Sequence, residues 1–200
     1  MKQGRKLYLI RHGQVLGYDD FPIYGHTDVE LTEVGILQME HLAERLRLVE
    51  IGVIYSSDLK RCLAGARILA RHHDVSIQPM AALREVYFGA WEGMGLSEIR
   101  EQFPRELTER EADLVHFAPP GNGESIARLA ERVLPCTRDI LNRHKEGNIV
   151  IVGHGAVNRV ILCDALGLDL SRMFNLHLDY GCLSIIEYHP DRTLVRLVNG

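Results

Sequence analysis

A chain of 200 residues, 46% hydrophobic and 25% charged, is long enough to bury a real core and has the size of one domain. One domain over residues 1–200 is therefore expected, and nothing in the composition suggests a disordered or fibrous chain. The formal net charge of −4 and pI near 6.2 exclude recruitment of a polyanion by bulk charge, so neither nucleic acid nor an anionic membrane surface is an expected partner. Any anion must be met by a locally built site.

No stretch reaches the roughly 18 consecutive apolar residues of a membrane helix. The basic start of the chain is followed only by Leu7-Tyr8-Leu9-Ile10 before Arg11, too short for a signal-peptide core, so a cytoplasmic protein is expected. Cys62, Cys136, Cys163 and Cys182 have no C-x-x-C spacing and lie in apolar surroundings, which reads as buried free thiols. His72-His73 diverge in direction and lack a third ligand, so no metal and no cofactor are expected.

In chain order, the apolar run at Leu7-Tyr8-Leu9-Ile10 is a strand covered on both faces. Thr32 is placed to cap a helix reaching about Arg47, with Leu37, His41, Leu42 and Leu46 near one face. Val53-Ile54-Tyr55-Ser56 is a second strand, followed by a helix capped by Asp58 and running through Arg71. Residues 93–123, with Pro104, Pro119 and Pro120, are polar enough to stand off the sheet as a small cap of short helices. An amphipathic segment over 125–145 has Pro135 in its middle, which predicts a kink or a break. Ile149-Val150-Ile151-Val152 is a third central strand and residues 155–166 a helix. The segments 183–188 and 194–198 flank a His189-Pro190-Asp191-Arg192 turn as an antiparallel pair. Alternating strands and helices define an α/β class: three layers, α/β/α, with a mostly parallel central sheet and an antiparallel C-terminal strand.

Three of the central strands pass directly into polar residues: Arg11-His12-Gly13, Ser56-Ser57-Asp58 with Arg61 one turn on, and Gly153-His154-Gly155. In a parallel sheet all three ends lie on one rim, where open α/β folds bind ligands. Two histidines and two arginines thus converge. Arginine grips two oxygens of a phosphate at once and keeps its charge, so Arg11 and Arg61 can supply what a metal ion supplies elsewhere. Gly13 allows close backbone approach. A neutral His12 can attack phosphorus, while His154, protonated or simply donating, can stabilise the oxygens of the moving group.

The segment Leu9-Ile10-Arg11-His12-Gly13-Gln14 resembles the signature of the histidine phosphatase family, also called phosphoglycerate mutase-like. Tyr24-Gly25-His26-Thr27-Asp28 with Leu31-Thr32-Glu33-Val34-Gly35, the run from Ser56 to Cys62, the run from Leu83 to Gly93, and Val152-Gly153-His154-Gly155 are similar to its further segments in order. The resemblance spans about residues 6–198. It implies His12 as the phosphorylated nucleophile, Arg11, Arg61 and His154 as phosphate ligands, and Glu85 as proton donor to the leaving oxygen, with Glu92 as a rival held in a Trp-Glu-Gly turn. The family's pattern usually continues with a hydroxyl residue and an asparagine. Here Val15 and Tyr18 stand there, and Gln14 is the neighbouring polar group that can compensate in part.

The expected function is a metal-independent phosphomonoesterase acting on a phosphorylated small molecule. The segments around Tyr180-Gly181-Cys182 and 194–199 are similar to α-ribazole phosphatases of cobalamin synthesis, and Phe88, Trp91, Phe103 and Phe117 offer aromatic surface for a base. No added basic cluster is evident for a second anionic group, which disfavours a phosphoglycerate mutase. The remaining alternatives are a broad-specificity phosphatase and a non-catalytic phosphate-binding module. The sequence does not define the oligomeric state.

Overall fold

The computed structural model describes residues 4–17, 22–144 and 146–200, so Tyr18 lies outside the described residues. Among the described residues, six strands form one sheet: β1 (Arg5–Arg11), β2 (Ile51–Ser56), β3 (Ile77–Pro79), β4 (Asn148–Gly153), β5 (Leu183–Tyr188) and β6 (Thr193–Leu197), in the order β3-β2-β4-β1-β5-β6. The pairs β3-β2, β2-β4 and β4-β1 are parallel, while β5 is antiparallel to both β1 and β6. The expected C-terminal hairpin therefore extends the sheet on the β1 side. β3 was not anticipated, because three residues ending in a proline carry no periodicity to read.

Alternate residues of β1, β2 and β4 face opposite sides. Leu7, Leu9, Val53, Tyr55, Ile149 and Ile151 pack against α5 (Ile126–Arg143) and α6 (Gly155–Leu166). Tyr8, Ile10, Ile54, Val150 and Val152 pack against α1 (Glu33–Leu46) and α2 (Lys60–Ala70). The result is the three-layer α/β/α arrangement. Residues 93–123 carry α3 (Leu96–Gln102) and α4 (Pro104–Ala112); α4 buries no side chain and α3 only Ile99. No helix among the described residues is long and apolar enough to cross a membrane.

Thr32 caps α1 as expected, its side chain accepting from the Gly35 amide. The buried stripe of α1 is Gly35, Met39, Leu42, Ala43 and Leu46, whereas Leu37 is 52% exposed and His41 is exposed, so these two expected positions lie off the buried face. Asp58 does not cap α2. Its carboxylate takes two hydrogen bonds from Arg84, at 2.7 and 2.6 Å, and the Lys60 amide is met instead by Asp28 Oδ1 at 2.8 Å.

Pro135 does not break α5, which runs through it for 18 residues. The amide hydrogen that proline lacks would have bonded the Glu131 carbonyl one turn back. Both residues lie on the exposed side of the helix, where water replaces the lost partner. All four cysteines are buried and free.

Candidate active site

The sheet register builds the site. Arg11 is level with Gly153 across β1 and β4, and Ser56 is level with Val152 across β2 and β4. The residues that follow these strands, His12, Ser57 and His154, therefore emerge side by side at the carboxyl rim. The His12 amide bonds the Gly153 carbonyl at 3.1 Å and the Ser57 amide bonds the Val152 carbonyl at 3.0 Å, which carries the sheet pairing one residue into the site.

His12 is 5% exposed. Its Nδ1 is 2.8 Å from the Gly13 carbonyl, and because a carbonyl only accepts, Nδ1 is assigned the hydrogen and Nε2 the lone pair. Burial first, and then the charges of Arg61 and Arg11, hold its pKa well below the usual imidazole value. The ring is therefore a neutral base with its nucleophilic nitrogen free.

His154 is fully buried and stands edge to face with His12, ring centroids 5.1 Å apart. Arg61 Nε donates to its Nδ1 at 3.3 Å, so Nδ1 holds the lone pair and Nε2 the hydrogen. Burial, then Arg61 and His12, lower its pKa well below the ordinary value. Of the two states open to it from sequence, the structure favours the neutral donor. The Cys62 thiol backs the ring, with Sγ 3.4 Å from Nε2 and 3.7 Å from Nδ1.

Arg61 is 1% exposed. Besides His154 it donates to the Thr27 carbonyl at 2.8 Å and the Gly25 carbonyl at 2.6 Å, using three of its five hydrogens and leaving two for a ligand. Arg11 donates to the Leu178 carbonyl at 2.6 Å and lies 4.0 Å over the Tyr180 ring. Its buried Nε has no partner among the described residues.

Glu85 lies in the loop after a 3-10 turn at Ala81–Leu83. Its Oε1 accepts from the Val86 amide at 3.0 Å and its Oε2 from the Ala156 amide, in the first turn of α6, at 3.1 Å. That second bond ties the carboxyl to the segment that carries His154. With Arg11, Glu85 borders a cavity of about 170 Å3 that reaches under the cap.

The two remaining sequence candidates are engaged elsewhere. A side chain at Gly13 would collide with the Gly35 carbonyl, so the close approach it permits is to α1. The Gln14 side-chain oxygen accepts from the Thr32 hydroxyl at 2.8 Å, which leaves its amide nitrogen as the group free to meet a ligand. Val15 is 3% exposed and bridges to Leu31.

Glu92, the rival acid of the sequence reading, anchors a loop, and further contributors escaped that reading. Glu92 is the acceptor for the amides of Gly25, His26, Thr27 and Phe88 and for the Thr27 hydroxyl. Burial opposes its charge, but the bonds from Thr27, Phe88 and His26 outweigh that and draw its pKa below the usual carboxylate value. Arg132, on α5, donates to the Ala82 and Glu85 carbonyls and to both oxygens of Glu124, fixing the loop that carries Glu85. The aromatic set divides: Trp91 is 1% exposed and packs on Phe103 and Phe117, while Phe88 and Phe117 border the cavity. The expectation of no added basic group is overturned, because Arg110 and Arg159 also line that cavity. They are 49 residues apart in sequence and meet only through the fold.

A neutral imidazole with a free ring nitrogen, flanked by desolvated guanidinium groups at the strand edge of an α/β sheet, suits phosphoryl transfer. The match to the histidine phosphatase superfamily, branch 1, runs over residues 7–200, and the chain belongs to that family as a hydrolytic phosphatase. Phosphoserine phosphatase 1 of Hydrogenobacter thermophilus is 29% identical over 97% of this chain and 92% of its own length. The adenosylcobalamin/α-ribazole phosphatase of Escherichia coli is 27% identical over 98% and 96%. The crystal structure of the α-ribazole phosphatase from Shigella flexneri superposes with a TM-score of 0.90 at 26% identity, covering 98% of this chain and 96% of that one.

Proposed function

We propose that the protein hydrolyses phosphomonoesters of small metabolites through a phosphohistidine at His12, with no metal. The observation that carries this reading is the pair of tautomers: His12 keeps an unprotonated Nε2 while His154 keeps an Nε2–H donor. The His12 Nε2 lone pair attacks phosphorus and the P–O bond to the alcohol breaks. Glu85 gives its proton to the departing oxygen, so the alcohol leaves neutral. Arg11, Arg61 and the His154 Nε2–H neutralise the charge on the phosphoryl oxygens, with Gly13 and the Gln14 amide nitrogen beside them. Water, losing a proton to Glu85, then breaks the P–N bond and releases inorganic phosphate.

The test is chemical. Enzyme labelled with a radioactive phosphomonoester should hold phosphate that is lost in acid and kept in base, as a phosphoramidate behaves. His12→Ala should form no label and turn over no p-nitrophenyl phosphate. Acid-stable label, or turnover by His12→Ala, would remove the nucleophile assignment. A binding module without turnover is disfavoured by the joint presence of His12, Glu85 and His154.

A second reading names the substrate as α-ribazole 5'-phosphate, in cobalamin biosynthesis. The segment at Tyr180-Gly181-Cys182 and two of the relatives described above favour it, and Phe88 and Phe117 would face the base. The name of the Hydrogenobacter relative points instead to an amino-acid phosphate.

A further inference from the structure

Beyond the phosphate cluster, the cavity wall carries two guanidinium groups to which the reaction above assigns no role. Arg159 projects from the second turn of α6. A side-chain carbon built on Gly155 would stand 3.1 Å from Arg159 Nη1 and 3.6 Å from Arg11 Nε, so Arg11 and Arg159 flank the same glycine. Arg159 then lies 5.3 Å from the Phe174 ring, and Arg110, from α4 in the cap, lies 5.8 Å from the same ring. Three guanidinium groups thus lead outward from His12 along one wall.

Among the described residues neither outer arginine has a carboxylate within hydrogen-bonding distance, and Glu111 near Arg110 and Glu85 near Arg159 act on them only through longer-range charge. Arg159 donates only to the Leu176 carbonyl, through Nε at 2.8 Å, and Arg110 makes no hydrogen bond or ion pair among the described residues. The two acid side chains that border the cavity are engaged: Glu85 accepts from backbone amides and Glu124 from Arg132. Burial, and at Arg159 also the charge of Arg11, draw both groups below the usual guanidinium value. Partly desolvated, unpaired charge is costly to maintain without a counter-charge. The planar fork of arginine matches a carboxylate in geometry.

We propose that Arg110 and Arg159 form a subsite for a carboxylate on the leaving alcohol, so that the substrates are short phosphorylated hydroxy or amino acids. This rests on the phosphatase reading above and narrows it. Size is compatible: about 170 Å3 beside Arg11 gives room for a few carbon atoms and a carboxylate. Leu114, Phe117 and Ile126 supply the apolar part of the wall, which excludes water and strengthens an ion pair formed there.

The experiment compares kcat/KM on 3-phosphoglycerate and glycerol 3-phosphate, which differ only in carboxylate against hydroxymethyl, together with α-ribazole 5'-phosphate and p-nitrophenyl phosphate. The wild type should prefer 3-phosphoglycerate over glycerol 3-phosphate by about tenfold or more, the effect of one hydrogen-bonded charge pair. Arg110→Gln and Arg159→Gln should each shrink that ratio toward one. α4 buries no side chain, so Arg110→Gln should fold, and the wild-type ratio needs no variant at all. Equal rates on the matched pair, a preference for α-ribazole 5'-phosphate, or a ratio untouched by both substitutions would overturn the carboxylate subsite. Absence of turnover on every ester, p-nitrophenyl phosphate included, would overturn the phosphatase reading and this one with it.

Discussion

His12 and His154 pack edge to face at 5.1 Å and carry their hydrogens on opposite ring nitrogens. Each tautomer is dictated by a neighbour that has only one role to play: the Gly13 carbonyl can only accept from His12, and Arg61 can only donate to His154. One ring thus keeps a free lone pair on Nε2 and the other a hydrogen there, the division of labour that the proposed reaction uses.

Both rings are held neutral by burial and by nearby arginine charge, their pKa values lying well below 6.5. In the unfolded chain they titrate normally, near 6.5. Below that pH the unfolded state binds the protons that the native state refuses, so stability falls as pH falls. The slope is about 1.4 kcal/mol per pH unit for each ring, and about 2.7 for the pair. Urea denaturation at pH 7.5, 6.5 and 5.5 should show this loss, and a His12→Gln, His154→Gln double variant should flatten it. An unchanged slope in the double variant, or a His12 ring that titrates near 6.5 by NMR, would contradict the electrostatic picture.

Glu85 should matter in proportion to the need for a proton. Glu85→Gln is expected to slow hydrolysis of alkyl phosphates by about 10²–10⁴-fold. The loss on p-nitrophenyl phosphate, whose phenolate leaves unaided, should be much smaller. Equal losses on the two would assign Glu85 a structural role through its bonds to the Val86 and Ala156 amides.

The charge supplied by Arg11 and Arg61, with the neutral Nε2–H donor of His154 beside them, should make a divalent ion unnecessary. Activity is expected to survive exhaustive EDTA treatment and to gain nothing from added magnesium. Loss of turnover on chelation, restored by a divalent ion, would mean that the guanidinium groups do not suffice.

The convergence of the candidate residues on one rim was legible because it depends on local signals. Apolar runs ending in Arg11-His12-Gly13 and Gly153-His154-Gly155 announce strand ends, and a parallel sheet brings such ends together whatever the details of packing. The supporting shell was not legible because its partners are distant in sequence. Arg132 looks like a surface arginine of an amphipathic helix, yet it binds carbonyls 50 and 47 residues away. Arg110 and Arg159 read as ordinary helix charges until the cap is set over α6. Asp58 was misread for a related reason: the local cap rule lost to a two-bond pairing with Arg84.

Glu92 and Arg61 hold the loop at residues 25–27 from opposite sides. The carboxylate accepts its amides, and the guanidinium donates to the Gly25 and Thr27 carbonyls. Glu92 is therefore expected to act on Arg61 through this loop. In Glu92→Gln one acceptor oxygen becomes a donor facing amide hydrogens, which should cost about 1–3 kcal/mol of stability. If that were all, phosphate binding would be unaffected well below the melting temperature. Because Arg61 loses its fixed acceptors, inhibition by vanadate or phosphate should instead weaken by about tenfold, and Glu92→Asp should recover part of it. The decisive measurement is a double-mutant cycle with Arg61→Ala. If Glu92 acts through Arg61, Glu92→Gln adds little once the guanidinium is gone, whereas fully additive losses in anion affinity would show that the two act independently.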